Sequence, residues 1–420
     1  MEATFGPKVS SLGLPTQTPK GPNMALKNVI QYLLLPELEL LDARPAGPDG
    51  LSGTEWMAKK RSEMEVCPRC AKPSRSVYDH RWVKLKDDPI RTKPVTLWVR
   101  KRRFSCTTCR RPFTEPVAGV RKGYRTTERY RQRLLWACEN FSDLKRVRRV
   151  YRCSSALLHR VFYERLELER RKRLYPWPTK VGIDEHLFKH DFRLNQRRFV
   201  TMIVDHKNKR LMEVVEGKEG GVLRAALAHI PGRENVRFVA LDLSDGYRNF
   251  AREFFPNAEL VADKFHVLRL ITPAIHRHIK QLGLGRDALP LYRLLRRNPC
   301  KLDSSMRWRL RCFLADKPAL RELWSVKEAI NRFYRIRGHG RAGRALTALT
   351  DHMALSLMPE VLTLRTTLRR WRKEVLAYFL CRLTNARTEG FNGKAKLVIR
   401  RAYGYKSFSN YRLRLLNACA

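Results

Sequence analysis

The sequence predicts a multidomain α/β chain, and three observations carry that reading. Cysteine pairs cluster before residue 110, helical spacing follows to about residue 173, and short apolar strand-like runs begin at residue 181. The chain has 420 residues, with 86 Lys and Arg against 40 Asp and Glu and a formal charge of +46. A hydrophobic fraction of 43% supplies real cores, which excludes a disordered basic tail. So large a charge calls for a polyanionic partner, and nucleic acid is the first candidate. A membrane would need an anchor. The most apolar stretch, 29–41, is too short to span and is interrupted by Pro36. The residues before it lack the apolar region of a signal peptide, so a cytoplasmic protein with reduced cysteines is expected.

Residues 1–63 read as a flexible leader and N-terminal segment with a Pro/Gly-rich break at 44–53. The next element, 64–118, holds Cys67, Cys70, Cys106 and Cys109 as two C-x-x-C pairs. Each pair fits a tight knuckle, and four thiolates satisfy tetrahedral Zn²⁺ without histidine. Between the pairs, polar and apolar residues alternate as in a hairpin, so a zinc ribbon around one structural Zn²⁺ is expected. A redox C-x-x-C is the competing reading, and His80 is the alternative ligand.

Residues 119–174 carry three stretches of helical spacing, with Ser142 placed to cap the second and Ser154 the third. The short turn between them gives helix-turn-helix spacing. The third helix would then enter a major groove and aim Ser155, His159 and Arg160 at base edges. The adjacent run Arg100, Lys101, Arg102 and Arg103 would meet phosphates. The plain alternative is a helical hairpin whose basic residues are merely solvated.

After a Pro-containing linker, 180–270 reads in the order β-β-β-α-β-α-β, the order of an RNase H-like mixed-sheet domain. Residues 271–382 read as an all-α insertion, and 383–420 as a C-terminal helical region. Asp184 and Asp242 each follow an apolar strand, and these two strands lie side by side in such a sheet. Like charges that close are costly unless divalent cations neutralise them. Two Mg²⁺ or Mn²⁺ ions there could activate a nucleophilic oxygen and stabilise a leaving oxygen of a phosphodiester. Asp205 and Asp245 read as turn or cap residues. Glu389, Asn392 and Lys396 fall at i, i+3 and i+7 on one helix face. The acid would complete the metal site, and the amide and ammonium would hold phosphates.

The segments "GIDE", "LDLSDGY", "PNAELVADKFH" and "LTNARTEGFN", in this order behind two cysteine knuckles and a helix-turn-helix, resemble the DDE transposases of bacterial insertion sequences. The ISL-three group is the nearest match, over about 64–418. The resemblance implies that Asp184, Asp242 and Glu389 are the catalytic triad. Asp263 and His266 match a D-x-x-H signature and would serve beside it, although Asp263 could simply cap a helix. The implied activity is binding of terminal inverted repeats, then metal-dependent strand cleavage and strand transfer. The implied partners are double-stranded DNA, both transposon ends and target, and further copies of the chain as a homodimer or higher oligomer at the bacterial nucleoid. A nuclease or junction resolvase that cuts without joining is the rival enzyme. A transposase-derived DNA-binding regulator is the rival non-enzyme.

Overall fold

The computed structural model describes residues 24–47, 52–141, 143–191, 195–283, 288–297 and 302–420. The chain divides into two compact units, Met1–Phe162 and Tyr163–Ala420.

In the first unit, α1 (Met24–Leu33) precedes β1 (Leu38–Pro45), β2 (Thr54–Lys60), β3 (Glu65–Val66) and β4 (Pro73–Ser74). A long hairpin follows, β5 (Val77–Ile90) and β6 (Lys93–Ser105), and then β7 (Pro112–Thr114). The main sheet has the order β1-β2-β6-β5, with β7 also paired to β6. Arg91 and Thr92 both take positive φ, 47° and 69°, as a two-residue hairpin turn requires. Leu85, Val95, Leu97 and Val99 point to one face and pack with Leu38, Trp56 and Ala58. The N-terminal segment before residue 64, to which no strand was assigned from sequence, supplies two strands of this sheet. Its β period, Trp56 and Ala58 inward, was hidden by the Pro/Gly-rich stretch before it.

Three helices end this unit: α2 (Glu128–Asn140), α3 (Leu144–Val150) and the start of α4 (Ser155–Lys172). Buried Asp87 on β5 accepts from Thr127 Oγ1 at 2.7 Å and pairs with Arg129, which fixes α2 to the sheet. Asp143 caps α3 by accepting from the Arg146 amide at 2.8 Å; Ser142, expected in that role, lies outside the described residues. Ser154 accepts from the Leu157 amide at 3.2 Å, as expected of a cap.

The second unit opens with three antiparallel strands, β8 (Lys180–Asp191), β9 (Gln196–Asp205) and β10 (Arg210–Glu216). Helix α5 (Gly220–Leu227), β11 (Phe238–Leu241), α6 (Asp245–Phe254), β12 (Glu259–Ala262) and α7 (Lys264–Arg269) follow. The sheet order is β10-β9-β8-β11-β12, with β8, β11 and β12 mutually parallel. This is the β-β-β-α-β-α-β succession expected from the apolar runs. Among the described residues seven helices then intervene: α8 (Thr272–Gln281), α9 (Ala288–Arg296), α10 (Ser304–Ala315), α11 (Pro318–Phe333), α12 (His339–Met353), α13 (Pro359–Arg370) and α14 (Arg372–Cys381). They share one apolar core with one face of the sheet, through residues such as Ile203, Val239, Leu323, Leu346 and Val375. The other face packs against α15 (Ala386–Arg401) and α16 (Phe408–Ala418), through Met202, Val204, Phe391 and Tyr411.

Candidate active site

Strand register brings the first two acids together. Gly182 on β8 pairs with Ala240 on β11, so Asp184 and Asp242 each stand two residues farther along neighbouring parallel strands. Leu241 pairs with Ala262 on β12, which sets Asp263 beside Asp242. Asp184, Asp242 and His266 offer ligand atoms that all lie within 4.8 Å of one another.

Each group is held by its surroundings. Asp184 accepts from the Glu185 amide at 2.8 Å and from Asn392 Nδ2 at 2.8 Å. Asp263 caps α7 and accepts His266 Nδ1 at 3.0 Å on the same oxygen. That leaves His266 Nε2 facing Asp242 at 3.9 Å. Asp263 therefore does more than cap. Burial pushes the Asp184 carboxyl up to about 7, and the Asp242 carboxylate adds to the rise. Burial likewise raises Asp242, against the pull of His266. The bond to Asp263 holds the His266 imidazole up to about 9.

The donor set suits a hard divalent cation. Among the described residues, Asp242 Oδ1 is buried with no hydrogen-bond partner, and so is Asn392 Oδ1. Oxygens left unsatisfied inside a cluster of acids have the chemistry of ligands awaiting a cation. Glu389 is not within that cluster. It is about one-third exposed and pairs with Arg269 at 3.4 Å. Its helix does face the site, because Asn392 lies one turn farther along α15 and reaches Asp184. Asn392, expected beside phosphates, donates its Nδ2 to the first acid. Lys396, another turn on, is exposed.

Asn385 has a part that sequence reasoning did not assign. It is fully buried just before α15. Its amide N–H donates to Asp263 Oδ1 at 2.8 Å, its Nδ2 to the Ile183 carbonyl at 3.0 Å, and its Oδ1 accepts from Thr388 at 2.9 Å. The side chain thus ties β8 to the start of α15, and the backbone N–H of the same residue adds the end of β12. Gly182 leaves room for it. A Cβ there would sit 2.6 Å from Thr388 Oγ1 and 2.7 Å from Asn385 Oδ1, and against His206. The signal was present in "LTNARTEGFN", where only the acid and the later Asn were assigned. Asp205 sits at a turn as expected, whereas Asp245 opens α6 after the N-cap Ser244 and makes no cap bond. Asp205 accepts from the Asn208 amide at 2.9 Å in the β9–β10 turn, and exposed Asp245 pairs with Arg370.

In the first unit, Cys67, Cys70, Cys106 and Cys109 also converge within 4.8 Å. The Sγ pairs Cys67–Cys109 and Cys70–Cys106 lie 3.7 and 3.5 Å apart. Tetrahedral Zn²⁺ with bonds of about 2.3 Å needs sulfurs about 3.8 Å apart, so the cluster fits zinc. The two knuckles are alike. Ala71 and Arg110 both take positive φ and donate their amides back to Cys67 and Cys106 carbonyls at 2.9 Å. The Cys109 amide points at Cys106 and lowers that thiol to about 6, which favours the thiolate a metal needs. His80 is not in the cluster and bonds Arg100 at 2.9 Å.

The residues assigned to DNA contact are distributed unevenly. Arg102 pairs with buried Glu115 at 2.8 Å and Arg103 lies over the Tyr78 ring at 4.7 Å. Burial lowers Lys101, while Arg100 is exposed. On α4, Ser155, His159 and Arg160 are exposed; Ser155 accepts from Arg148 at 3.1 Å and Arg160 lies over Tyr124 at 5.7 Å. Among the described residues no helix is long and apolar enough to cross a membrane.

Comparison with known proteins agrees with this geometry. Residues 181–415 match the ISL3-type DDE family model described as "Transposase". Residues 63–109 match the model described as "zinc-finger of transposase IS204/IS1001/IS1096/IS1165". The transposase for insertion sequence element IS1001 of Bordetella parapertussis is 25% identical over 370 residues, covering 85% of this chain and 89% of that protein. The transposase for insertion sequence element IS1557 of Mycobacterium tuberculosis is 24% identical over 400 residues, covering 86% and 87%.

Proposed function

The chain belongs to the ISL3-type family of DDE transposases, enzymes of DNA cleavage and transfer, and from that premise we propose that Asp184, Asp242 and Glu389 are its catalytic acids. The observation that carries the assignment is the meeting of Asp184, within β8, and Asp242, just past the end of the neighbouring parallel strand β11, with Asp242 Oδ1 left unpaired among the described residues. The strand order β10-β9-β8-β11-β12 supports an RNase H-like core for 180–270, interrupted by the helical insertion at 271–382 and completed by 383–420.

When bound, a pair of Mg²⁺ or Mn²⁺ ions supplies Lewis-acid stabilisation of the attacking and leaving oxygens. Asp184, Asp242 and Glu389 would hold the ions. Asn392 orients Asp184, and Asp263 orients His266 toward Asp242. Lys396 places a positive charge for a DNA phosphate. In hydrolysis a water oxygen attacks the phosphorus and the 3′ oxygen leaves. In transfer that freed 3′-hydroxyl attacks a target phosphodiester, and the bond to the target's own 3′ oxygen breaks.

The zinc knuckles of 64–118 and the helices of 119–174 are the reading's DNA-binding modules for terminal inverted repeats. Arg100 offers phosphate contact, with Lys101, Arg102 and Arg103 beside it. Ser155, His159 and Arg160 face bases from a helix-turn-helix. The working form is a homodimer or higher oligomer on DNA at the nucleoid. The test uses purified protein, Mg²⁺ and a labelled duplex carrying one element end. Nicking followed by joining to a second duplex is the expected result; cutting without any joining would leave a nuclease.

A further inference from the structure

The sheet of the first unit has a second face unlike a merely solvated one. Trp56, Ala58, Leu85, Leu97 and Val99 fill the core side, so their neighbours in β2, β5 and β6 point the other way. Two rows stand in register there: Met57, Trp98 and Lys84, then Lys59, Arg100 and Trp82. The Lys84 ammonium lies over the Trp98 ring at 5.2 Å. Trp82 is 41% exposed on the edge strand β5, and Lys84 and Arg100 are exposed beside it. A core would bury that indole, and a simple solubilising face would not carry it. On β1 these rows end in acids, Asp42 beside Met57 and Glu39 beside Lys59, which it meets at 3.4 Å; the β6 and β5 half of the rows, Trp98, Lys84, Arg100 and Trp82, carries none.

We propose that this face binds single-stranded DNA, with Trp82 stacking on an unpaired base and Arg100 and Lys84 on the flanking phosphates. The recognition chemistry is that of a stacking platform on a cationic track. A duplex keeps its base faces covered by neighbouring pairs and offers Trp82 no partner, whereas strand cleavage and transfer produce unpaired segments. The inference does not depend on which acids are catalytic, since binding can be read without metal and without turnover.

The test measures binding of the full-length protein to a fluorescein-labelled oligo-dT of about 15 nucleotides by anisotropy, in competition with unlabelled duplex. Trp82→Ala should weaken binding roughly five- to a hundredfold, while Trp82→Phe keeps a ring and stays near wild type. Arg100→Ala should reduce the salt slope by about 0.7, as one lost phosphate contact predicts. Zinc content equal to wild type shows that each variant is folded. Unchanged affinity in folded Trp82→Ala, or duplex competing as well as single strand, would overturn the proposal. A protein that fails to join strands but shows these effects would lose the catalytic reading and keep this one.

Discussion

Arg269 holds the Glu389 carboxylate at 3.4 Å, on the helix whose next turn supplies Asn392 to Asp184. The acid proposed as third in the triad is thus neutralised by a cation at the rim of the acid cluster. A metal pair would compete for it. Glu389→Gln should leave DNA-end binding intact and lower cleavage and joining by more than about a hundredfold. Arg269→Ala should stay close to wild type, because it removes only an exposed partner. Gel assays of nicking and joining check both. If Arg269→Ala were as inactive as Glu389→Gln, the pair would be structural. Asp245→Asn, which loses only an exposed ion pair with Arg370, is the mild control.

Asn392 works through Asp184. Removing its amide frees a buried carboxyl that already sits near 7, so its orientation and ionisation both suffer. Asn392→Ala should reduce activity about 10- to 100-fold, the usual loss for a group that orients a metal ligand. The defect should appear mainly as a higher Mg²⁺ concentration for half-maximal nicking. An unchanged Mg²⁺ requirement would place Asn392 outside the site.

The strands bearing Asp184 and Asp242 were legible because in each a short apolar run leads directly into the acid, although β8 continues past Asp184 to Asp191. The cysteine cluster was legible from spacing alone, since two C-x-x-C pairs have few other uses. Asn385 was not, because its importance lies in three partners, Ile183, Asp263 and Thr388, of which two are far away in sequence. Burial of a short polar side chain leaves no periodic trace. The strands β1 and β2 were missed for a related reason: their partner β6 is remote, and the Pro/Gly-rich stretch between them dominates any local reading. Arg102 and Arg103 were read as free phosphate contacts, but only the fold shows Glu115, Asp79 and Tyr78 already facing them.

Zinc removal should act on DNA binding through folding. Purified protein is expected to hold one Zn²⁺ per chain by metal analysis, and Cys106→Ser should lose both the zinc and specific end binding. The knuckles anchor both ends of the segment that forms the β5–β6 hairpin, so loss of the metal frees them together. Catalytic-domain melting should be little changed. Full zinc content in Cys106→Ser would remove the four-cysteine assignment.

The last prediction concerns acid stability and His206. Burial, then the Arg387 guanidinium, lowers this imidazole from an ordinary 6.5 to about 4. Its ring faces Thr388 at 3.5 Å, above Gly182 and next to Asn385. The folded state therefore binds this proton less readily than the unfolded chain. Above pH 6.5 both states are neutral there and His206 costs nothing. As pH falls from 6.5 toward 4 the unfolded chain takes up the proton first, and stability is lost by up to about 3 kcal/mol. His206→Gln keeps a polar side chain but cannot titrate. Its melting temperature should fall less than wild type between pH 6.5 and 4, by roughly 5–10 °C. Other titrating groups are common to both proteins, so the difference between the two curves isolates His206. Parallel curves would mean that the ring is protonated in the fold and that its contact with the Asn385 network is wrongly described.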